Sequence, residues 1–193
     1  KEPDELAKWW KERKLKLVET VRLPTWSAQA ERVDVASEAG VTITTWRLRI
    51  GEAWTVPLVE FAPANPIGTT LLFGEKGRTK LADDVQSQLA EQRRVVAIDP
   101  WYWGESKVAN KDWLWALMLS TIGDRPIGVQ AGQINAIARW SQAEHGNGPV
   151  RIVAHGPRAS LVGLISAATE TQAIGKVTTI DAPASLKDVL KGN

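Results

Sequence analysis

The sequence predicts an α/β protein: a three-layer αβα sandwich with a mostly parallel sheet and an antiparallel β-start. Short apolar strands alternate with helices from about residue 69 onward, which is typical of a parallel sheet covered on both faces. Before that point, apolar and polar residues alternate as in half-buried antiparallel strands. A run of strand formers also breaks sharply into a helix around Gly156. Many α/β enzymes hold a nucleophile at such a turn.

Composition narrows the class of protein. The 193 residues fit one ordinary domain with a substantial core, and 44% apolar with 24% charged residues indicates a folded chain. A net charge of +2 is too small to attract nucleic acid electrostatically. No apolar run is long enough for a membrane helix. The absence of cysteine excludes disulfides and cysteine nucleophiles, and two histidines argue against a multi-histidine metal site. We expect no metal and no cofactor.

The first half of the chain predicts a helix followed by strands. Residues 4–19 have apolar side chains at three- and four-residue spacing, which predicts an amphipathic helix packed on the domain with a solvated basic face. A membrane-surface role is the alternative, and interspersed acidic residues weaken it. Leu23, Pro24 and Thr25 indicate a linker, so we divide the chain into residues 1–24 and a truncated domain, residues 25–193. Strands are predicted at residues 32–36, 41–50 and 54–61.

The second half alternates regularly between strands and helices. Apolar runs predict strands at residues 69–73, 94–98, 150–154 and 176–180. Periodic segments predict helices at residues 81–91, 127–143 and from 157 to about 169. The chain stops soon after the last strand and a short helix, whereas a doubly wound sheet ordinarily continues. We therefore expect C-terminal strands to be missing, and contacts with missing parts of a longer protein.

Three stretches occur in an informative order. In residues 95–106 a strand is followed by an aspartate, Asp99, and then by a glycine and a serine, Ser106. The second stretch, residues 124–133, begins a helix. The third, residues 154–158, forms the sharp turn. Together they resemble the α/β-hydrolase superfamily, and look closest to bacterial acetyl-xylan-esterase-like and dienelactone-hydrolase-like proteins. The resemblance implies an esterase lineage acting on a carbohydrate or small ester. It also favours an extracytoplasmic location, which the residues themselves do not fix.

The turn departs from the pattern of that superfamily, Gly-x-Ser-x-Gly. Gly156 stands at the serine position and has no hydroxyl, while His155 precedes it. Pro157 follows and has no N–H to lend to an oxyanion hole, and Arg158 replaces a small residue. Losing one oxyanion donor typically costs about 2.7–4 kcal/mol of transition-state stabilisation. We expect no catalytic residue at this degenerate elbow.

Substitutes for the missing groups are weak candidates. Asp181 lies at a strand end, where it is either an acid in a variant arrangement or a turn residue. No histidine follows His155, which we expect to be a packed or hydrogen-bonded loop residue. Ser106 resembles a structural serine of the superfamily. Ser160 falls on the first turn of a helix and faces no evident base.

Two segments are candidates for ligand binding. Gly74 and Glu75 begin a loop with two glycines and two basic residues, which predicts either an anion-binding loop or a plain strand-to-helix connection. Five aromatic residues cluster where the predicted fold would form a cleft at the ends of the strands: Trp101, Tyr102, Trp103, Trp113 and Trp115. Such rings either stack on sugars or fill the core, and residues 113–119 also predict a buried apolar helix.

Three functions remain open. The first is a degenerate, esterase-like domain that acts as a non-catalytic scaffold or regulatory module of a longer protein. The second is a carbohydrate-binding module that uses the tryptophan cluster. The third is an active carboxylic ester hydrolase with an unconventional nucleophile.

Overall fold

The computed structural model describes residues 3–108, 111–185 and 187. The helices of this part are α1 (Pro3–Val21), α2 (Ala82–Ala90), α3 (Asp112–Thr121), α4 (Pro126–His145) and α5 (Pro157–Thr169). The strands are β1 (Ala28–Glu38), β2 (Val41–Ile50), β3 (Trp54–Ala62), β4 (Thr69–Gly74), β5 (Arg94–Ile98), β6 (Val150–His155) and β7 (Ile174–Ile180). The predicted elements are confirmed within a few residues, except for the short final helix, which lies outside the described residues.

All seven strands form one sheet in the order β1-β2-β3-β5-β4-β6-β7. The pairs β1–β2, β2–β3 and β3–β5 are antiparallel, whereas β4 pairs with β5 and β6, and β6 with β7, in parallel. The antiparallel start and the parallel remainder are the arrangement that the sequence predicted. Because β4 and β6 are parallel neighbours, their carboxyl ends meet at one edge of the sheet.

Alternate residues of the parallel strands face opposite layers. In β4, Leu71 and Phe73 belong to the main core with α4 and α5, whereas Leu72 packs in a smaller core with residues of α2. Strand β6 does the same, with Ile152 on the main side and Val153 on the other. Helices therefore cover both faces, which confirms the three-layer αβα architecture.

Helix α1 packs less closely than the sequence predicted. Its final turns reach the main core through Val21, which is buried, and Leu17, which is half-buried. Residues 4–16 are all exposed, including Leu6 and Trp10, so the expected packing is wrong for most of the helix. No helix among the described residues is both long and apolar enough to cross a membrane.

The connection after α1 lies against α4. A Cβ built on Gly132 would be 2.7 Å from Pro24 Cγ, so only a glycine lets the two backbones approach this closely. Arg139 donates from Nη2 to the carbonyl oxygen of Trp26 at 2.6 Å. The segment that the sequence indicated as a linker is thus anchored on the domain.

A buried carboxylate ties the antiparallel strands to the end of α4. Glu60 in β3 accepts a hydrogen bond of 2.9 Å from Trp46 Nε1 and pairs with Arg94 Nε at 2.9 Å. His145, the last residue of α4, places Nε2 3.5 Å from the same carboxylate. Burial raises the pKa of Glu60, but contacts with His145, Arg94 and Trp46 outweigh it and hold that pKa below its usual range.

This network predicts acid-sensitive stability. A lowered folded-state pKa stabilises the fold above the unfolded-chain value of about 4.3, and this contribution is lost as pH falls through the folded value. Urea unfolding across that range should show stability declining with acidification, and less steeply in Glu60→Gln. At neutral pH Glu60→Gln should cost about 3 kcal/mol, because Arg94 loses its counter-charge.

Glu31→Gln is the matched control, since the pair between Glu31 and Arg47 is exposed. Its cost should stay within about 0.5 kcal/mol at every pH. Equal behaviour of the two variants would contradict a stabilising role for the buried network.

Candidate functional site

The sharp turn predicted around Gly156 is present at the carboxyl edge of the sheet. Strand β6 ends at His155, α5 begins at Pro157, and Gly156 between them has φ 98° and ψ 163°. This backbone conformation is open essentially to glycine alone. The Gly156 N–H donates to the carbonyl oxygen of Ile180 at 2.9 Å, which fixes the turn against the end of β7.

A carboxylate from the β4 loop fills the space in front of this turn. Glu75 Oε1 accepts from the backbone N–H of Arg158 at 2.5 Å and lies 3.4 Å from that of Ala159. Glu75 Oε2 accepts from Arg158 Nε at 2.9 Å. A Cβ built on Gly156 would be 2.8 Å from Glu75 Oε1, so with the carboxylate in this position there is too little room for a side chain at position 156.

Elementary electrostatics favours this position for Glu75. The first N–H groups of a helix have no partner within the helix and carry partial positive charge, so an anion there is stabilised. Glu75 satisfies two of these groups from a residue far away in sequence, and Arg158 balances its charge from the other side. The loop at Gly74 and Glu75 is therefore a strand-to-helix connection that supplies an anion of its own.

A pocket of about 510 Å³ lies beside the turn. It is lined by Gly74, Glu75, Lys76, Lys80, Leu81, His155, Gly156, Pro157, Arg158 and Asp181, none of which carries a hydroxyl. His155 was expected in a loop but is the last residue of β6, and its Nε2 lies 3.0 Å from Asp84 Oδ1 in α2. Asp181 has φ 57° and an exposed side chain, which fits a turn residue. The pocket thus holds an imidazole and carboxylates without an attacking group.

The candidate serines point to the main chain. Ser160 is fully buried in α5, with Oγ 3.5 Å from the carbonyl oxygen of Ile180. Ser106 Oγ donates to the carbonyl oxygen of Asp99 at 2.9 Å. Each hydroxyl therefore has a backbone partner, and neither is among the residues that line the pocket at the turn.

Asp99 holds together two loops of the site. It is 1% exposed and accepts from the backbone N–H of Arg78 at 2.8 Å and of Glu105 at 3.0 Å. The Arg78 guanidinium pairs with the same carboxylate. Gly104 has φ 52° and lies against Asp99 so closely that a Cβ would overlap the carboxylate. This contact positions the loop of Glu75 relative to the segment of Trp101.

Part of the aromatic cluster lines a second cleft. Trp101, Tyr102 and Trp103 border a space of about 180 Å³, to which Glu75 and Arg158 also contribute. Trp101 is half-buried, and its backbone bonds to Gln133 at 2.7 Å and to Gln130 at 3.0 Å. Trp103 is 4% exposed and stacks on Phe73, with ring centroids 6.2 Å apart, so most of it is core.

The other two candidates lie outside this cleft. Neither Trp113 nor Trp115 is among its lining residues, and Trp113 is 70% exposed. Residues 113–119 were expected to form a buried helix. The helix is present as α3, but its predicted burial is wrong, because Leu119 is the one buried residue within it. Apolar composition predicted burial, whereas the helix lies outside the cores that α2, α4 and α5 complete.

The phenol of Tyr102 is fixed at the rim. Its hydroxyl oxygen lies 2.9 Å from the carbonyl oxygen of Val108 and 3.0 Å from Asp112 Oδ1, and its single proton is shared between these two acceptors. Desolvation and the adjacent Asp112 raise the pKa of Tyr102, while that hydrogen bond and Lys107 lower the pKa of Asp112. The raised pKa keeps the Tyr102 hydroxyl protonated at neutral pH, so it is a hydrogen-bond donor.

Comparison with solved structures identifies the fold. A candidate acetyl xylan esterase from Bacteroides fragilis superposes with a TM-score of 0.76 over 91% of this chain, at 16% identity. Acetyl xylan esterase 1 from Thermoanaerobacterium sp. does so with a TM-score of 0.62 over 87%, at 13% identity. A methylesterase, BT1017, gives 0.61 over 90%, at 14% identity. The fold is that of the α/β-hydrolase esterases, as the sequence resemblance implied.

The match covers these structures only in part. The chain spans 53% of the Bacteroides protein, 56% of the Thermoanaerobacterium protein and 39% of the methylesterase. No protein-family model matches the sequence, and comparison with curated proteins finds no match.

Sequence reasoning found the turn but missed what fills it. Glu75 was a candidate ligand residue, yet its contact with Arg158 spans 83 positions, and no local pattern signals such a pairing. The ion pairs of Asp84 with His155 and of Arg78 with Asp99 were missed for the same reason. One signal was available: a glycine–proline turn that lacks an anchoring hydroxyl leaves helix N–H groups in need of an acceptor.

The packing of Gly104 on Asp99 gives a test. Gly104→Ala should lower the unfolding free energy by at least about 2 kcal/mol, because backbone strain adds to overlap with the carboxylate. Gly146→Ala is the control: Gly146 has φ 64° but nothing within 4 Å of a built Cβ, so only the strain of about 1 kcal/mol should remain. Equal costs in denaturant unfolding would show that Asp99 does not constrain the loop.

Proposed function

We propose that this chain is a non-catalytic, esterase-like domain that serves as a scaffold or regulatory module of a longer protein. One observation carries the proposal: the Glu75 carboxylate occupies the elbow, in front of Gly156, where an attacking side chain would project. The esterase fold supports descent of this turn from a nucleophile elbow. The residues found in the turn support the proposal that catalytic activity has been lost.

Acyl transfer needs an attacking group, a base and donors for the developing oxyanion. Gly156 offers no attacking atom, and Pro157 offers no N–H. The following N–H groups, of Arg158 and Ala159, already face Glu75. An ester carbonyl in this place would meet a negative carboxylate, which opposes the charge of a tetrahedral intermediate. The turn therefore offers neither an attacking atom nor free oxyanion donors, although His155 lies in the adjacent pocket.

The elbow instead stabilises the structure. Glu75 joins the β4 loop to α5, and Arg158 closes the pair from the helix side. In a longer protein, the β4 loop and α5 held together in this way would present a rigid surface in place of an open active-site cleft. The chain spans about half of the esterases it resembles, which is consistent with a module whose partners lie in other segments.

Hydrolysis of p-nitrophenyl acetate tests the proposal. We expect no turnover above the buffer rate and no covalent labelling by a fluorophosphonate probe, because Ser106 and Ser160 face main-chain carbonyl oxygens and do not line the pocket that holds His155. Ser106→Ala and Ser160→Ala are the matched variants and should match the wild type in both assays. Robust hydrolysis or labelling that disappears in either variant would overturn the proposal in favour of an unconventional nucleophile.

A second candidate function is carbohydrate binding in the cleft of Trp101 and Tyr102. The half-buried indole of Trp101 offers a face for a sugar ring, and Gln130 and Arg158 add polar groups beside it. The cleft volume of about 180 Å³ is below the usual range for ligand pockets, so it suits one ring more than a long chain.

Titration with xylo-oligosaccharides, followed by tryptophan fluorescence, tests this second candidate. Binding should saturate and should weaken at least about tenfold in Trp101→Ala, while Trp113→Ala, outside the cleft, should leave it unchanged. A flat response of the wild type, or equal loss in both variants, would remove the carbohydrate proposal.

A further inference from the structure

We propose that Asn147 is a modification site, at which spontaneous deamidation converts the side-chain amide into a carboxylate beside the buried Glu60 network. Asn147 and Gly148 form the one Asn-Gly pair of the sequence. They lie between the end of α4 at His145 and the start of β6 at Val150, in a connection that the proposed function does not use.

The reaction needs no group beyond these two residues and water. The backbone nitrogen of Gly148 attacks the side-chain carbonyl carbon of Asn147, and a new C–N bond closes a cyclic imide. The bond from that carbon to Nδ2 breaks, and the amide nitrogen leaves as ammonia with the proton from the Gly148 N–H. Water then opens the imide at either carbonyl, which gives aspartate or isoaspartate. An amide is thus exchanged for a carboxylate, and no oxidant or reductant takes part.

The backbone at this pair is open to the attack. A Cβ built on Gly148, whose φ is 71°, would meet nothing within 4 Å, and the residue carries no side chain that could hinder its nitrogen. Gly146, before Asn147, has φ 64° and equally open surroundings. Asn147 is exposed, so water reaches it. The two flanking glycines therefore leave the connection free to bring the nitrogen of Gly148 to the side chain of Asn147.

The other asparagines among the described residues lack these features. Asn65 is exposed but precedes Pro66, which has no N–H to lose. Asn135 is 4% exposed and lies within α4, where helical hydrogen bonds hold the backbone in place. We therefore expect the reaction at Asn147 and not at Asn65 or Asn135.

The amide of Asn147 links the connection to two other parts of the fold. Oriented to suit its neighbours, it donates from Nδ2 to the carbonyl oxygen of His145 at 3.2 Å and accepts at Oδ1 from Arg94 Nη1 at 3.1 Å. The His145 carbonyl is among the last of α4, which have no partner within the helix. Arg94 in β5 pairs in turn with Glu60 in β3. Asn147 therefore connects the end of α4 to the buried network.

Deamidation changes both contacts. A carboxylate has no proton to donate, so the His145 carbonyl loses its donor. The new negative charge lies next to the C-terminal end of α4, where the helix dipole is already negative. Arg94, which faces one carboxylate before the reaction, is then shared between two. The end of α4 should therefore be held less firmly after the reaction.

Incubation of the full chain in warm, mildly alkaline buffer tests the reaction. Ion exchange should resolve a product with one more negative charge than the starting protein, and peptide mapping should place aspartate and isoaspartate at position 147. In water enriched in heavy oxygen the product should carry the label, and ammonia should be released in equal amount. Absence of such a product, or its formation at Asn65 or Asn135 instead, would overturn the proposal.

Two glycine variants test the role of the backbone nitrogen. Gly148→Ala should slow the reaction at least about tenfold, because a Cβ hinders the attacking nitrogen. Gly146→Ala is the matched control: it adds the same methyl group at a positive φ with equally open surroundings, and it should retain the wild-type rate. The unfolding midpoints of the two variants should match, so that folding does not explain the difference. Equal slowing in both variants would contradict attack by Gly148.

Hydrogen exchange tests the effect on α4. In Asn147→Asp, which carries the side chain of one product, the last turn of α4 should exchange about threefold faster than in the wild type. Asn65→Asp makes the same chemical change in the exposed connection between β3 and β4, and it should leave that exchange unchanged. Identical exchange in the wild type and Asn147→Asp would contradict the link between this amide and the helix.

Discussion

The turn from β6 into α5 is the constraint around which the site is organised. Gly156 adopts a backbone conformation essentially closed to other residues, and the helix that follows starts with N–H groups in need of an acceptor. The chain supplies that acceptor through Glu75. The turn is therefore sharp in its backbone, and the Glu75 carboxylate closes it at the start of α5.

Three carboxylates connect segments that the sheet alone would leave independent. Glu60 joins β3 to the end of α4, Asp99 joins the loops after β4 and β5, and Glu75 joins the β4 loop to α5. Each is matched by an arginine: Arg94, Arg78 and Arg158, respectively. Removing one partner from such a pair is costly when the other stays buried. The Glu60 network lies at the amino ends of the parallel strands and the other two at their carboxyl ends, so these ion pairs connect the layers at both edges of the sheet.

How much the sequence predicts depends on the range of each interaction. The strands, the helices and the turn at Gly156 were predictable, because periodicity, glycine and proline act locally. The exposure of Trp113 was not, since an apolar helix is buried only if another layer covers it. The role of Glu75 was not either, because it depends on parallel pairing of β4 with β6, which brings distant residues to one edge. Similarly, α1 was predicted as a helix, but its projection from the domain was not.

The Glu75 carboxylate lies within 2.8 Å of the position that a Cβ at residue 156 would take. The most direct measurement is the unfolding free energy lost on Gly156→Ala, determined in the wild type and in Glu75→Ala. Backbone strain is common to both backgrounds, whereas contact with the carboxylate is present only in the first. The cost of Gly156→Ala should be smaller by about 1 kcal/mol when Glu75 is absent. An identical cost in both backgrounds would contradict it.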